Sequence, residues 1–128
     1  MGKTIREIIA GKAWIRVKPT DSVHHATRAM YKGDVGAVVV MEDDRLRGIF
    51  TQRDALRFLT MTRRNPFVID VGVVMTPDPV TIAADASAEE VKRMMHSKKF
   101  HHLPVVDGET VVGVVSLPER EFDLSWPG

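Results

Sequence analysis

The chain carries one unit twice. Shifted by 65 positions, residues 15–54 lie over residues 80–119 without a gap. Val17 falls on Ile82, Ser22 on Ser87, Arg28 on Arg93, Met30 on Met95, Val40 on Val105 and Gly48 on Gly113. Conservative pairs fill the spaces between them, among them Ala26 with Val91, Val38 with Leu103, Ile49 with Val114 and Thr51 with Ser116. A unit of this size cannot bury its own apolar face, so two copies are expected to pack together. The sequence therefore predicts a pseudo-symmetric, two-lobed domain, and any site between the lobes should come in two related versions.

Each copy reads β-α-β-β, and the first adds a further helix, so the fold class is α/β with internal duplication. Residues 15–18 form a short strand ending at Pro19. Ser22 is placed to cap a helix whose apolar residues Val23, Ala26 and Met30 share one face, and Gly33 or Gly36 ends it. The run Ala37-Val38-Val39-Val40-Met41 suits a strand buried on both faces. A turn at 42–45 leads to a strand over 46–51, and Gln52 opens the next helix. The second copy repeats the strand at 80–82, the helix from Ser87 with Ala88, Val91 and Met95 on one face, and strands at 102–106 and 111–116. These two are joined at Asp107-Gly108. Residues 4–64 make the first repeat, 65–79 a linker and lead-in, 80–121 the second repeat and 122–128 a tail.

Composition excludes more than it suggests. There is no cysteine, so disulfides and thiolate metal sites are ruled out. Formal net charge is +1, which offers no strong field for nucleic acid or a membrane surface. No stretch approaches the about 18 apolar residues of a membrane span, and a cytoplasmic location is the expectation. No nucleophile elbow, phosphate-binding P-loop or G-x-G-x-x-G is present. The histidine pairs His24-His25 and His101-His102 lack the spacing of a helical zinc pair. No catalytic residue and no metal site is assigned.

The chemically pointed segment is Gly48-Ile49-Phe50-Thr51-Gln52-Arg53-Asp54, at a strand-to-helix junction. Glycine permits close approach of a ligand to the backbone. Thr51, with the free N–H groups of the following helix, could hold a phosphate or a ribose. Asp54 can accept hydrogen bonds from two vicinal hydroxyls, which is the chemistry of ribose recognition. Arg53 can fork onto a phosphate. The plain alternative is that Thr51 and Asp54 only cap a helix.

The double copy of V-x-P-x-x-S-x-x-x-A-x-x-x-M, an apolar V-V-V or L-P-V strand, and G-I-F-T-x-R-D resembles a tandem pair of cystathionine-β-synthase (CBS) domains, a Bateman module. The likeness covers residues 4–120 and extends to small stand-alone prokaryotic CBS-pair proteins, which share the Val74-Met75-Thr76 lead-in and the H-L-P-V strand. It implies an adenosine nucleotide in a cleft between the lobes. Asp54 would then hold the ribose hydroxyls, Thr51 ribose or phosphate, and Arg53 phosphate. Ile15, Val17 and Pro19 would wall the adenine, and His101 and His102 would face phosphates, where a histidine titrating near the usual ~6.5 would make binding pH-sensitive.

The second position departs from the pattern. It keeps Gly113 and Ser116, with Val80 and Ile82 on its leading strand, but has Leu117-Pro118-Glu119 where the first has Gln52-Arg53-Asp54. Glu119 is longer than aspartate, and Pro118 removes an N–H. One functional site, or a second and weaker one, is expected. Phe58, Leu59 and Met61 exceed what one lobe needs to bury, and the resemblance places that helix in a homodimer face. The resulting expectation is a non-enzymatic regulatory module that binds AMP, ADP, ATP or an NAD-like ligand and signals to an effector protein. The alternative is a structural dimerisation module with no nucleotide.

Overall fold

A computed structural model of the chain describes residues 2–98 and 101–116. The elements run α1 (Ile5–Ile9), β1 (Arg16–Val17), α2 (Val23–Gly33), β2 (Ala37–Glu42), β3 (Arg45–Thr51), α3 (Gln52–Met61), α4 (Val71–Val74), β4 (Thr76–Pro77), β5 (Ile82–Ala83), α5 (Ala88–Lys98), β6 (His102–Asp107) and β7 (Thr110–Ser116). They form two sheets, ordered β1-β2-β3-β4 and β5-β6-β7. In each, a short parallel strand joins an antiparallel hairpin. The α/β fold with internal duplication is as the sequence predicts.

The duplication reaches into the hydrogen-bond register. Val40 pairs with Gly48, and the next pair skips a residue to Met41 with Leu46. Val105 pairs with Gly113, and the next pair skips to Val106 with Val111. The bulge thus recurs at the same step of each repeat, and a bulge re-aims the side chains beyond it.

Helix α2 starts as expected, with Ser22 Oγ accepting from His25 N at 3.0 Å. Its buried face is Val23, Ala26 and Met30. Its end differs from the glycine cap expected. Gly33 is still helical, and Asp34 takes the left-handed conformation at φ 53°. The glycine is needed for space, since a Cβ at Gly33 would stand 2.2 Å from Ile15 Cδ1. Aspartate tolerates the left-handed region better than most side chains.

Strand β2 is buried on both faces. Val38 and Val40 enter one core with Val17, Val23, Ala26, Met30, Phe50, Ala55 and Phe58. Val39 and Met41 enter another, which joins Val111 to partly buried Trp14, Leu46, Val106 and Val114. That cluster holds residues of both lobes and is where the two sheets meet. Val38, Val39 and Val40 are fully buried, each worth about 1.5–3 kcal/mol against exposure.

The lead-in helices are exchanged between the lobes. Helix α1 opens the first repeat in the chain, yet Ile5 and Ile9 lie in the core of the second, with Val91, Met95, Leu103 and Val115. Helix α4 precedes the second repeat, yet Val71 lies in the core of the first. Matching backbone bonds hold both. Ile5 N donates to Ala86 O and Arg6 N to Ala84 O, as Val71 N donates to Asp21 O and Gly72 N to Pro19 O. Thr4 bridges Ser87 as Asp70 bridges Ser22.

Candidate functional site

Thr51 ends β3 and caps α3. Its Oγ1 accepts from Asp54 N at 3.1 Å, and Asp54 Oδ2 accepts from Thr51 N at 3.0 Å. This reciprocal capping box satisfies two orphan donors at the helix start, so the plain capping role weighed from sequence is present. It engages one carboxylate oxygen. The other, Oδ1, stands 3.6 Å from Nη1 of Arg57, one turn further along α3. The Asp54 side chain is 11% exposed and that of Arg57 64%, so a sheltered carboxylate faces a partner that can swing into solvent. Arg57 is a component that sequence reasoning missed. Its signal was the i,i+3 spacing from Asp54.

The second lobe closes on this helix start through His102. Its Nδ1 shares a 2.7 Å hydrogen bond with Ser116 Oγ, its neighbour across the β6–β7 ladder. The other edge of the ring lies against the first lobe, where a Cβ at Gly36 would stand 2.7 Å from His102 Cε1 and 3.2 Å from Nε2. Gln52 Oε1 is 3.6 Å from the same point. Burial pushes the His102 imidazole down to about 4; neighbouring His101 pushes the same way and the Asp54 carboxylate opposes. His102 is therefore neutral at pH 7. The expectation of a histidine titrating near the usual value is corrected for this residue, because desolvation disfavours the charged form.

Thr51, Asp54 and His102 thus come together, with half-buried His101 just before β6. Arg53 is exposed on the first turn of α3. Val17 gives its side chain to the first core and Ile82 to the second, so a ligand alongside β1 or β5 meets their backbone. Ile15 packs on the first core, and its carbonyl accepts from Val39 N. Pro19 sits beneath α4, with its carbonyl bound to Gly72 N. Val80 is exposed. Glu119, with Leu117 and Pro118, lies outside the described residues, as does the 122–128 tail.

Gly48 does not open the backbone to a ligand, contrary to the sequence reading. A Cβ there would stand 2.4 Å from Met75 Sδ and 2.7 Å from Thr76 O. Its counterpart Gly113 makes room for Ile9, whose Cδ1 would lie 2.7 Å from a Cβ. Both glycines accommodate the exchanged lead-in segments. Phe58 is likewise not part of an exposed stripe, being 4% exposed in the first core, whereas Leu59 and Met61 are 60% and 76% exposed. Among the described residues, no group of three or more His, Asp or Glu is placed to hold a metal ion. Nor is any helix among them long and apolar enough to cross a membrane.

The sequence pattern of the CBS domain matches residues 5–61 and again residues 68–118. The chain belongs to the CBS-domain family. Among CBS relatives, protein CBSCBSPB1 of Arabidopsis thaliana is 38% identical over 104 residues, which are 80% of this chain and 19% of that protein. This chain thus spans about a fifth of that relative's length. The CBS-domain structure NE2398 superposes with a TM-score of 0.83 at 27% identity, covering 96% of this chain and 98% of that one. The CBS pair of protein MJ0100, in complex with 5′-methylthioadenosine and S-adenosyl-L-methionine, matches the fold with a TM-score of 0.78 at 23% identity, over 89% and 92% of the two chains.

Proposed function

We propose that this CBS pair is a regulatory module that binds an adenosine-containing small molecule: AMP, ADP, ATP or an NAD-like dinucleotide. The ligand sits where the start of α3 faces β6, and occupancy shifts the balance between lobe or dimer arrangements that a partner protein reads. The observation that carries this reading is Asp54. A sheltered carboxylate, held in place by Thr51, keeps one oxygen whose partner is an exposed arginine. A ribose diol offers two donors to such a group, and Arg57 is free to turn toward phosphate when they arrive. Arg53 on the same helix turn adds positive charge. Neutral His102 would act as a hydrogen-bonding wall.

The fold supports the same ligand class. A CBS pair of like architecture holds methylthioadenosine and S-adenosylmethionine, which share the adenosine that Asp54 would recognise. The proposed activity is binding without turnover.

A second reading, a dimerisation module with no nucleotide, is favoured by a different observation. Among the described residues Tyr31, Leu56, Leu59, Met61, Phe67, Val68 and Val73 are exposed in the first repeat and the linker, and the less exposed Val80 joins them at the start of the second repeat. Exposed apolar groups gathered in one part of a chain suit an interface. Homodimerisation through α2 and α3 is compatible with both readings.

Side-by-side calorimetric titration with AMP, ATP, NAD and S-adenosylmethionine separates them. Saturable binding near one ligand per chain is expected for at least one compound. Binding by none of the four would replace the sensor with the dimerisation module.

A further inference from the structure

We propose that His102 couples the two ligand positions of the cleft between the lobes, as a positioning residue gripped by Ser116 in the second lobe and packed against Gly36 in the first. What occupies those positions rests on the nucleotide reading above; the mechanical link does not.

The repeat isolates the feature. His102 and Ser116 are the counterparts of Ala37 and Thr51, and each pair faces across an antiparallel ladder. In the first lobe, alanine offers nothing to the hydroxyl, and Thr51 caps α3 instead. In the second, the imidazole takes the hydroxyl at 2.7 Å. The ring then spans to the other lobe, where its far edge meets the space left by Gly36. Gly36 O in turn accepts from Gln52 N at 3.0 Å, the first residue of α3. Asp54 follows two residues later, near enough for its charge to act on the ring.

A neutral imidazole transmits because its two nitrogens are linked. The bond made by one decides whether the other carries a proton. A Ser116 hydroxyl donating to Nδ1 leaves the proton on Nε2, beside Gly36; a hydroxyl accepting from Nδ1 leaves Nε2 an acceptor there. Ser116 is the second-position counterpart of Thr51, so a ligand acceptor that takes its hydroxyl proton competes with Nδ1. The ring then changes tautomer or tilts, and the α3 start feels it. Linkage makes the effect reciprocal.

The test uses the full chain with nitrogen-15 imidazole and amide NMR, together with AMP titration. Variants are Ser116→Ala, Ser116→Thr and Gly36→Ala. In Ser116→Ala, the tautomer balance of His102 should change, the Gly36 and Gln52 amides of the other lobe should shift, and AMP affinity should change at least threefold. Ser116→Thr keeps the hydroxyl and should restore all three. Gly36→Ala pushes on the ring from the opposite side and should move the Ser116 amide. Unchanged His102, Gly36 and Gln52 signals in Ser116→Ala would overturn the link, as would altered signals with unchanged AMP affinity. Failure of AMP to bind the unaltered chain would overturn the nucleotide reading alone, and the ring and amide signals would still decide the link.

Discussion

At the scale of single residues, His102 carries the clearest physical consequence. Its imidazole sits at about 4 in the folded chain against 6.5 when exposed. Between those values the unfolded chain binds a proton that the folded chain refuses, so stability falls as pH falls through this window and is level above it. Denaturation at pH 7.5 and at pH 4.5 should differ by on the order of 2–3 kcal/mol from this group. His102→Gln should remove most of that difference, and an unaltered pH dependence in the variant would show that the ring is not desolvated. The site was only partly legible at this scale. Thr51 and Asp54 stood out because a strand-to-helix junction announces itself by its hydroxyl and carboxylate. The contact between His102 and Gly36 was hidden, because it joins positions far apart in the chain. A glycine standing where the other repeat has His101 was its only trace.

At the scale of elements, the exchanged lead-in helices are the feature that local sequence does not reveal. Helices of five and four residues are too short for a periodic pattern, and isolated turns of that length gain their stability from packing. Strands and long helices were legible because β2 shows a continuous apolar run and α2 an apolar stripe. The two glycines beneath the exchanged segments make a discriminating prediction. At Gly113 an added methyl meets the end of the Ile9 side chain; at Gly48 it meets backbone Thr76 O as well as Met75. Each Gly→Ala change should destabilise by about 1–3 kcal/mol through overpacking. Adding Ile9→Ala should recover much of the loss at Gly113, while adding Met75→Ala should recover little at Gly48. Equal recovery in thermal denaturation of the two double variants would contradict the packing described.

For the whole molecule, the two lobes are alike in backbone and unlike in surface. Their sheets meet through Val39, Met41 and Val111, while among the described residues the exposed large apolar side chains lie between positions 31 and 80. Homodimerisation through α3 predicts that Leu59→Glu, at a position 60% exposed on that helix, yields monomer in sedimentation. Its stability should stay within about 0.5 kcal/mol of the parent monomer, as is usual for surface changes. An unchanged oligomeric state would move the interface elsewhere. The duplication made the fold readable because each half of the sequence tests the other, whereas the approach of His102 to Gly36 across the halves is visible only in three dimensions. The proposed ribose recognition rests on Asp54, and the deciding measurement is paired calorimetric titration of the unaltered chain and Asp54→Asn with AMP. Saturable binding to the first and at least tenfold weaker binding to the second, with α3 still folded by circular dichroism, is the predicted result. Equal AMP affinity in the two proteins would contradict the assignment of Asp54 as the ribose-binding carboxylate.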